Sequence, residues 1–215
     1  MHRIFVLLHL MFLSGWSSAA DLPKALIIGD SISIGYTKGV MERLKDDISV
    51  SRPKANCGST ELGLAQLSNW IEGGPWKVIH FNWGLHDLCY RNPESKQQGN
   101  RDKVNGKQSV PLPQYETNLQ TLVDRLKRTG AILIFATTTA VPEGEAGRFA
   151  GDERRYNEAA LRVMTKNGVR INDLHALSIT FPQELFVGPG NVHYTNAGSE
   201  RLAEQVAASI RSAAK

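Results

Sequence analysis

From residue 24 onward, short runs of apolar or β-branched residues alternate with longer stretches in which apolar positions recur every three or four residues. The runs at 24–29, 48–53, 77–83, 131–138 and 169–173 predict strands. The periodic stretches at 34–45, 61–72, 114–129, 152–167 and 196–214 predict helices. Strands this short, separated by helices, join in parallel and are covered on both faces, so the pattern predicts an α/β domain with a parallel sheet of about five strands. Only 90–113 lacks such a pattern, and a long irregular segment in a compact domain is often functional.

The chain has 215 residues, 41% of them hydrophobic and 21% charged, enough for one domain with a substantial core and little disorder. Its beginning reads differently. A basic start at 1–3, an apolar stretch at 4–13 and the small residues Ser18, Ala19 and Ala20 predict a secretory signal peptide over 1–20, too short to span a bilayer stably. The expectation is a secreted or periplasmic protein of one domain, 21–215, without stable membrane insertion. Removing 1–20 takes away Arg3 alone and lowers the formal net charge of +4 by one. The excess sits largely in 90–107, where Arg91, Lys96, Arg101, Lys103 and Lys107 face only Glu94 and Asp102. A solvated loop and a loop that attracts acidic substrates both fit this run. No nucleic-acid module is present, since the basic residues lack interleaved aromatics.

Ligands of open parallel sheets bind beyond the carboxyl ends of the strands. The loops there carry Asp30 and Ser31 after the first strand, 56–60 after the second and 84–87 after the third, while 191–195 precedes the last helix. Asp30 and Ser31 suit a helix cap, but a serine at a strand-to-helix turn also places its hydroxyl at the mouth of the sheet. Serine attack on an ester requires a base and donors for the oxyanion. Ser31 can supply the nucleophile, His193 the base, and the backbone N–H groups of Ser31 and Gly58 two donors. The histidines show no metal-ligand spacing, so neither metal nor organic cofactor is expected. His80 alternates with apolar neighbours and reads as a core histidine, and Trp70 and Trp83 as core aromatics.

Gly29-Asp30-Ser31, Asn56-Cys57-Gly58, Gly84-Leu85-His86-Asp87 and 192–198 (Val-His-Tyr-Thr-Asn-Ala-Gly) follow one another in the order of the blocks of the SGNH, or GDSL-type, hydrolases, which this chain resembles. The resemblance implies a flavodoxin-like three-layer αβα sandwich and hydrolysis of acyl esters on carbohydrates or lipids. Two positions depart from it. His86 stands where the family has an asparagine that donates to the oxyanion. An imidazole can take that role, with Asn82 as an alternative donor, or His86 can instead brace its loop against Asp87. Gly190 stands where the family places an aspartate three residues before the histidine. An uncharged Asn191, a carbonyl within 188–190, or Asp87 or Asp173 from other strands are the remaining partners for the ring. Cys57 and Cys89 lie beside two of these blocks, and in an exported protein a disulfide between them would tie the loops together.

The resulting expectation is a serine esterase acting on a small-molecule or glycan ester, with acetyl groups on carbohydrate as the narrower form. A catalytically silent carbohydrate-binding protein, a lipid esterase and an acyltransferase are the alternatives.

Overall fold

A computed structural model describes residues 22–215, and the signal-peptide segment lies outside them. Strand β1 (Lys24–Ile28) leads into helix α1 (Ser31–Leu44), followed by β2 (Ser49–Ser51), α2 (Thr60–Ile71) and β3 (Val78–Phe81). A two-stranded antiparallel ribbon, β4 (Tyr90–Arg91) with β5 (Lys107–Gln108), precedes α3 (Leu112–Lys127). The chain then forms β6 (Ile132–Ala136), α4 (Asp152–Asn167), β7 (Arg170–Asn172), the short α5 (Leu174–Ser178) and α6 (Asn196–Ala214).

The five-stranded sheet runs β2-β1-β3-β6-β7 with every pair parallel. Helices flank both faces, α1 against α6 and α3 against both α2 and α4. This is the flavodoxin-like αβα sandwich. The chain leaves β1 toward one side for β2 and returns to the other for β3, so the loops after β1 and β3 diverge and open a crevice at the carboxyl edge. Ser31 and His86 occupy those two loops.

The strands are nearly continuous apolar runs because both of their faces are covered. Ala25 to Ile28 in β1 and all four residues of β3 are buried. Two glycines in α1, poor helix formers, have a packing reason: a Cβ on Gly39 would stand 2.8 Å from Cβ of Ala203, so α1 and α6 approach closely there. Helix α1 begins three residues before the periodic pattern does, because Asp30 caps it by accepting from Ile32 N–H at 2.9 Å. The ribbon β4–β5 lies within 90–113 and carries no periodic signal, its strands being two residues each.

His80 is fully buried on β3, with the Tyr36 ring edge-on at 6.4 Å. Gln205 donates to Asn172 Oδ1 at 2.8 Å, which turns Asn172 Nδ2 toward His80 Nε2 at 3.0 Å. Nε2 therefore accepts, and the ring is neutral with its proton on Nδ1. Burial pushes its pKa down from 6.5 to about 3. The unfolded chain takes up this proton first as pH falls, so the contribution of His80 to stability is present above about 6.5 and is lost between there and 3. His80→Gln, which keeps an acceptor for Asn172, is expected to remove about 3 kcal/mol of the stability lost between pH 7 and pH 4, one pKa unit being worth about 1.4 kcal/mol. Urea unfolding of both proteins at the two pH values checks this; equal losses would contradict it.

Candidate active site

Asp30 ends the buried run of β1 and places Ser31 as the first residue of α1. The Ser31 N–H is thereby one of the unpaired donors at a helix N-terminus, where the backbone dipole favours negative charge. Across the crevice, residues 185–195 form a narrow loop. Val187 N–H donates to the His193 carbonyl at 2.9 Å, Thr195 N–H to that of Leu185 at 2.9 Å, and Asn191 N–H to that of Gly188 at 3.2 Å. Thr195 then caps α6. This loop brings His193 Nε2 to 2.9 Å from Ser31 Oγ.

The other face of the ring is held as firmly. Asn191 Oδ1 lies 2.8 Å from His193 Nδ1 and 2.9 Å from His193 N. A backbone N–H can only donate, so the Asn191 atom is the amide oxygen. The same oxygen can only accept from Nδ1, which therefore carries the proton and leaves Nε2 free to take one from Ser31. Neither Asp87 nor Asp173 reaches the ring: Asp173 caps α5 and accepts from Thr137 Oγ1 at 2.7 Å. Burial lowers the His193 pKa, opposed by the charge of Asp30 and reinforced by those of Arg148 and Arg101.

Gly190 shows why no aspartate stands three residues before the histidine. Its φ is +65°, and a Cβ would meet the carbonyl oxygen of Gly144 at 2.7 Å. The loop passes too close to the 144–145 backbone to admit a side chain.

On the other flank, Gly58 has φ +53°. Its N–H, expected to be free for an oxyanion, donates to Asn56 Oδ1 at 3.0 Å in an Asx turn. A substrate oxygen would have to share or displace that exposed side chain. The free Ser31 N–H and His86 are the remaining donors. Nδ1 of His86 lies 3.9 Å from where a Gly58 Cβ would stand, and neither ring nitrogen is hydrogen-bonded among the described residues. Burial lowers the pKa of His86, against the charge of Asp30 and together with those of Arg148, Arg91 and His193, so a neutral ring with one N–H is favoured.

His86 does not brace its loop against Asp87. That carboxylate is fully buried and takes Thr60 N–H at 2.8 Å and Thr60 Oγ1 at 2.6 Å, with burial pushing its pKa up to about 7. Asn82 is not an oxyanion donor either. Its Nδ2 donates to the Ala136 carbonyl at 2.8 Å and so ties β3 to β6. The expected disulfide is likewise corrected, since Cys57 and Cys89 are free, buried thiols. Cys57 Sγ turns to the carbonyl of Ala55 and Cys89 Sγ to that of Tyr90, each within its own loop. The tie between these loops is made by Asp87 to Thr60 instead. Trp83 is buried core, its indole N–H donating to the Cys57 carbonyl at 3.3 Å.

One cluster was missed from sequence. The loop from β6 to α4 stands at the same carboxyl edge and brings buried Glu145 and Arg148 toward the site. Its position directly after a strand was the available signal. Among the described residues no group of His, Cys, Asp or Glu side chains is arranged to hold a metal ion. Nor is any helix there long and apolar enough to cross a membrane.

The fold is shared with solved ester-hydrolase structures at low sequence identity. A lipase/acylhydrolase from Enterococcus faecalis superposes with a TM-score of 0.72 at 16% identity, covering 89% of this chain and 96% of its own. An acetyl xylan esterase gives 0.70 at 15%, covering 87% and 99%. An acetylxylan esterase from Geobacillus stearothermophilus gives 0.70 at 18%, covering 87% and 94%. No protein-family model matches the sequence, and no curated protein matches it.

Proposed function

We propose that this chain is a serine ester hydrolase that works through an acyl-enzyme, with Ser31 as nucleophile, His193 as base and Asn191 as the residue that positions it. The observation that carries this reading is the 2.9 Å contact of Ser31 Oγ with a His193 ring whose tautomer Asn191 sets. Ser31 Oγ attacks the acyl carbon while its proton passes to His193 Nε2. The imidazolium keeps its Nδ1–H on Asn191 Oδ1. The carbonyl oxygen, now negative, takes hydrogen bonds from the Ser31 N–H and from His86, with Gly58 N–H joining where Asn56 yields. Collapse of the tetrahedral intermediate expels the alcohol, which receives the proton from Nε2–H. Water, activated by the same nitrogen, then releases the acid and restores Ser31.

A ready base and a free helix-terminal donor favour catalysis over silent binding. Two of the fold neighbours named above are esterases of acetylated xylan, which favours an acetylated carbohydrate over a lipid. Export rests on the N-terminal pattern alone.

The reading is tested with p-nitrophenyl esters of increasing chain length and with acetylated xylo-oligosaccharides, the Ser31→Ala protein serving as control. Expected is turnover that falls beyond the shortest acyl chains and vanishes in the control; turnover shared by the control would remove the assignment. His86 has its own test. His86→Asn, which retains a donor, is expected to stay within about tenfold of the parent and to lose part of the pH dependence, whereas His86→Ala loses about 10²–10³-fold in kcat. Rates indifferent to both changes would exclude His86 from the oxyanion site.

A further inference from the structure

The loop between β6 and α4 holds an ion cluster that the hydrolytic cycle leaves unused. Glu145 is fully buried, and its Oε1 accepts from Arg101 Nη1 at 2.8 Å and from Arg148 Nη1 at 2.9 Å. Its Oε2 takes the Gly147 N–H at 2.6 Å. One carboxylate, fully occupied, thus faces two guanidinium groups and leaves one positive charge in surplus.

Arg148 is only 5% exposed, and its Nε donates at 2.7 Å to the carbonyl of Leu85, the residue before His86. Its Nη2 donates to nothing among the described residues, yet it is not one of the unpartnered atoms sealed from solvent. Arg101, with 23% of its side chain exposed, uses Nε on the Gln98 carbonyl and Nη1 on Glu145, which leaves its Nη2 uncommitted as well. Both charges are felt at the site, where Arg148 lowers the pKa of His86 and of His193 and Arg101 that of His193, against the opposing charge of Asp30 at both rings and of Glu145 at His193. Asp102, the nearest acidic residue in sequence to Arg101, does not neutralise them. It is turned into its own loop, where it accepts from Val104 N–H and Asn105 N–H at 3.0 Å.

Burying a guanidinium costs several kcal/mol unless its donors are met. An arginine pinned through Nε to the carbonyl next to His86 and through Nη1 to Glu145, with Nη2 free of protein partners, is pre-organised for an oxyanion supplied from outside. We infer that the substrate carries a carboxylate close to its scissile ester, and that Arg148, assisted by Arg101, receives it. This rests on the hydrolase reading above, and the carboxylate can belong either to a sugar acid on the alcohol side or to a dicarboxylic acyl group.

The test uses matched pairs at low ionic strength: O-acetylated glucuronic acid against its methyl ester, and p-nitrophenyl hemisuccinate against p-nitrophenyl methyl succinate. One pair is expected to show a kcat/KM preference for the charged member of about tenfold or more, the scale of a charge-assisted hydrogen bond. The pair that shows it identifies the side carrying the carboxylate. The preference is expected to fall toward unity in Arg148→Gln and in Arg101→Gln, the second serving if the first fails to fold. Binding of the same pairs to Ser31→Ala protein, followed by calorimetry, gives the ratio without turnover, so loss of the hydrolase reading and loss of this one are told apart. A ratio below about twofold in both pairs, or a preference that survives both arginine changes, would overturn the inference.

Discussion

Ser31→Ala is expected to lower kcat for p-nitrophenyl acetate by about 10³–10⁶-fold, and His193→Ala by a comparable factor. The two side chains act as one unit, because the serine hydroxyl is a weak nucleophile until Nε2 accepts its proton, and Nε2 has no proton to move until the serine attacks. The double variant is therefore expected to be no slower than either single one. A residual rate above that in water would come from the Ser31 N–H and His86, which both changes leave in place. Steady-state kinetics of the three proteins decide the matter: multiplicative losses would mean that the 2.9 Å contact is not used in the reaction. The acid limb of kcat/KM is expected below the ordinary histidine value of 6.5, because burial lowers the pKa of His193 in the free enzyme.

The second large effect concerns the missing aspartate. Gly190→Asp, which would place an acid where the resembling family has one, is expected to reduce kcat by about 10²-fold or more, since displacing the base by about 1 Å is enough for such a loss. The new Cβ would stand 2.7 Å from the Gly144 oxygen at a φ of +65°, so the 185–195 loop must move and His193 with it. Asn191→Asp is expected to act oppositely. A carboxylate at that site accepts the same two hydrogen bonds from His193 and adds a negative charge beside the imidazolium. That charge favours the protonated ring, so the acid limb moves to higher pH and kcat on its plateau rises. Measuring pH–rate profiles of both variants separates the two effects. An active Gly190→Asp, or an unchanged profile in Asn191→Asp, would contradict the roles given to these positions.

These expectations show how unevenly the site could be read in advance. The five strands and five long helices follow from periodicity, and α4 and α6 have the predicted bounds, because amphipathic helices between buried strands leave a strong local signal. That Ser31 and His193 fall where a ligand of a parallel sheet binds was legible, because polar residues just after strands collect at its carboxyl edge. Asn191 stood among several candidates and could not be singled out, since its role depends on a turn that folds the amide oxygen back onto the backbone nitrogen and Nδ1 of His193. The engagement of Gly58 by Asn56, the use of Asn82 to join β3 to β6, and the unpaired cysteines each turn on side-chain directions of an ångström or two.

Local order, meaning which segments become strands or helices and which polar residues fall just after them, is contained in the sequence, because it depends on neighbours a few positions away. Partnership is decided by tertiary structure. Ser31 lies 162 residues from His193, and Arg101 lies 44 from Glu145. Whether such groups meet, and which acceptor each donor finds, depends on the packing of whole elements and on backbone contacts such as that of Gly190 with Gly144, which no local pattern encodes.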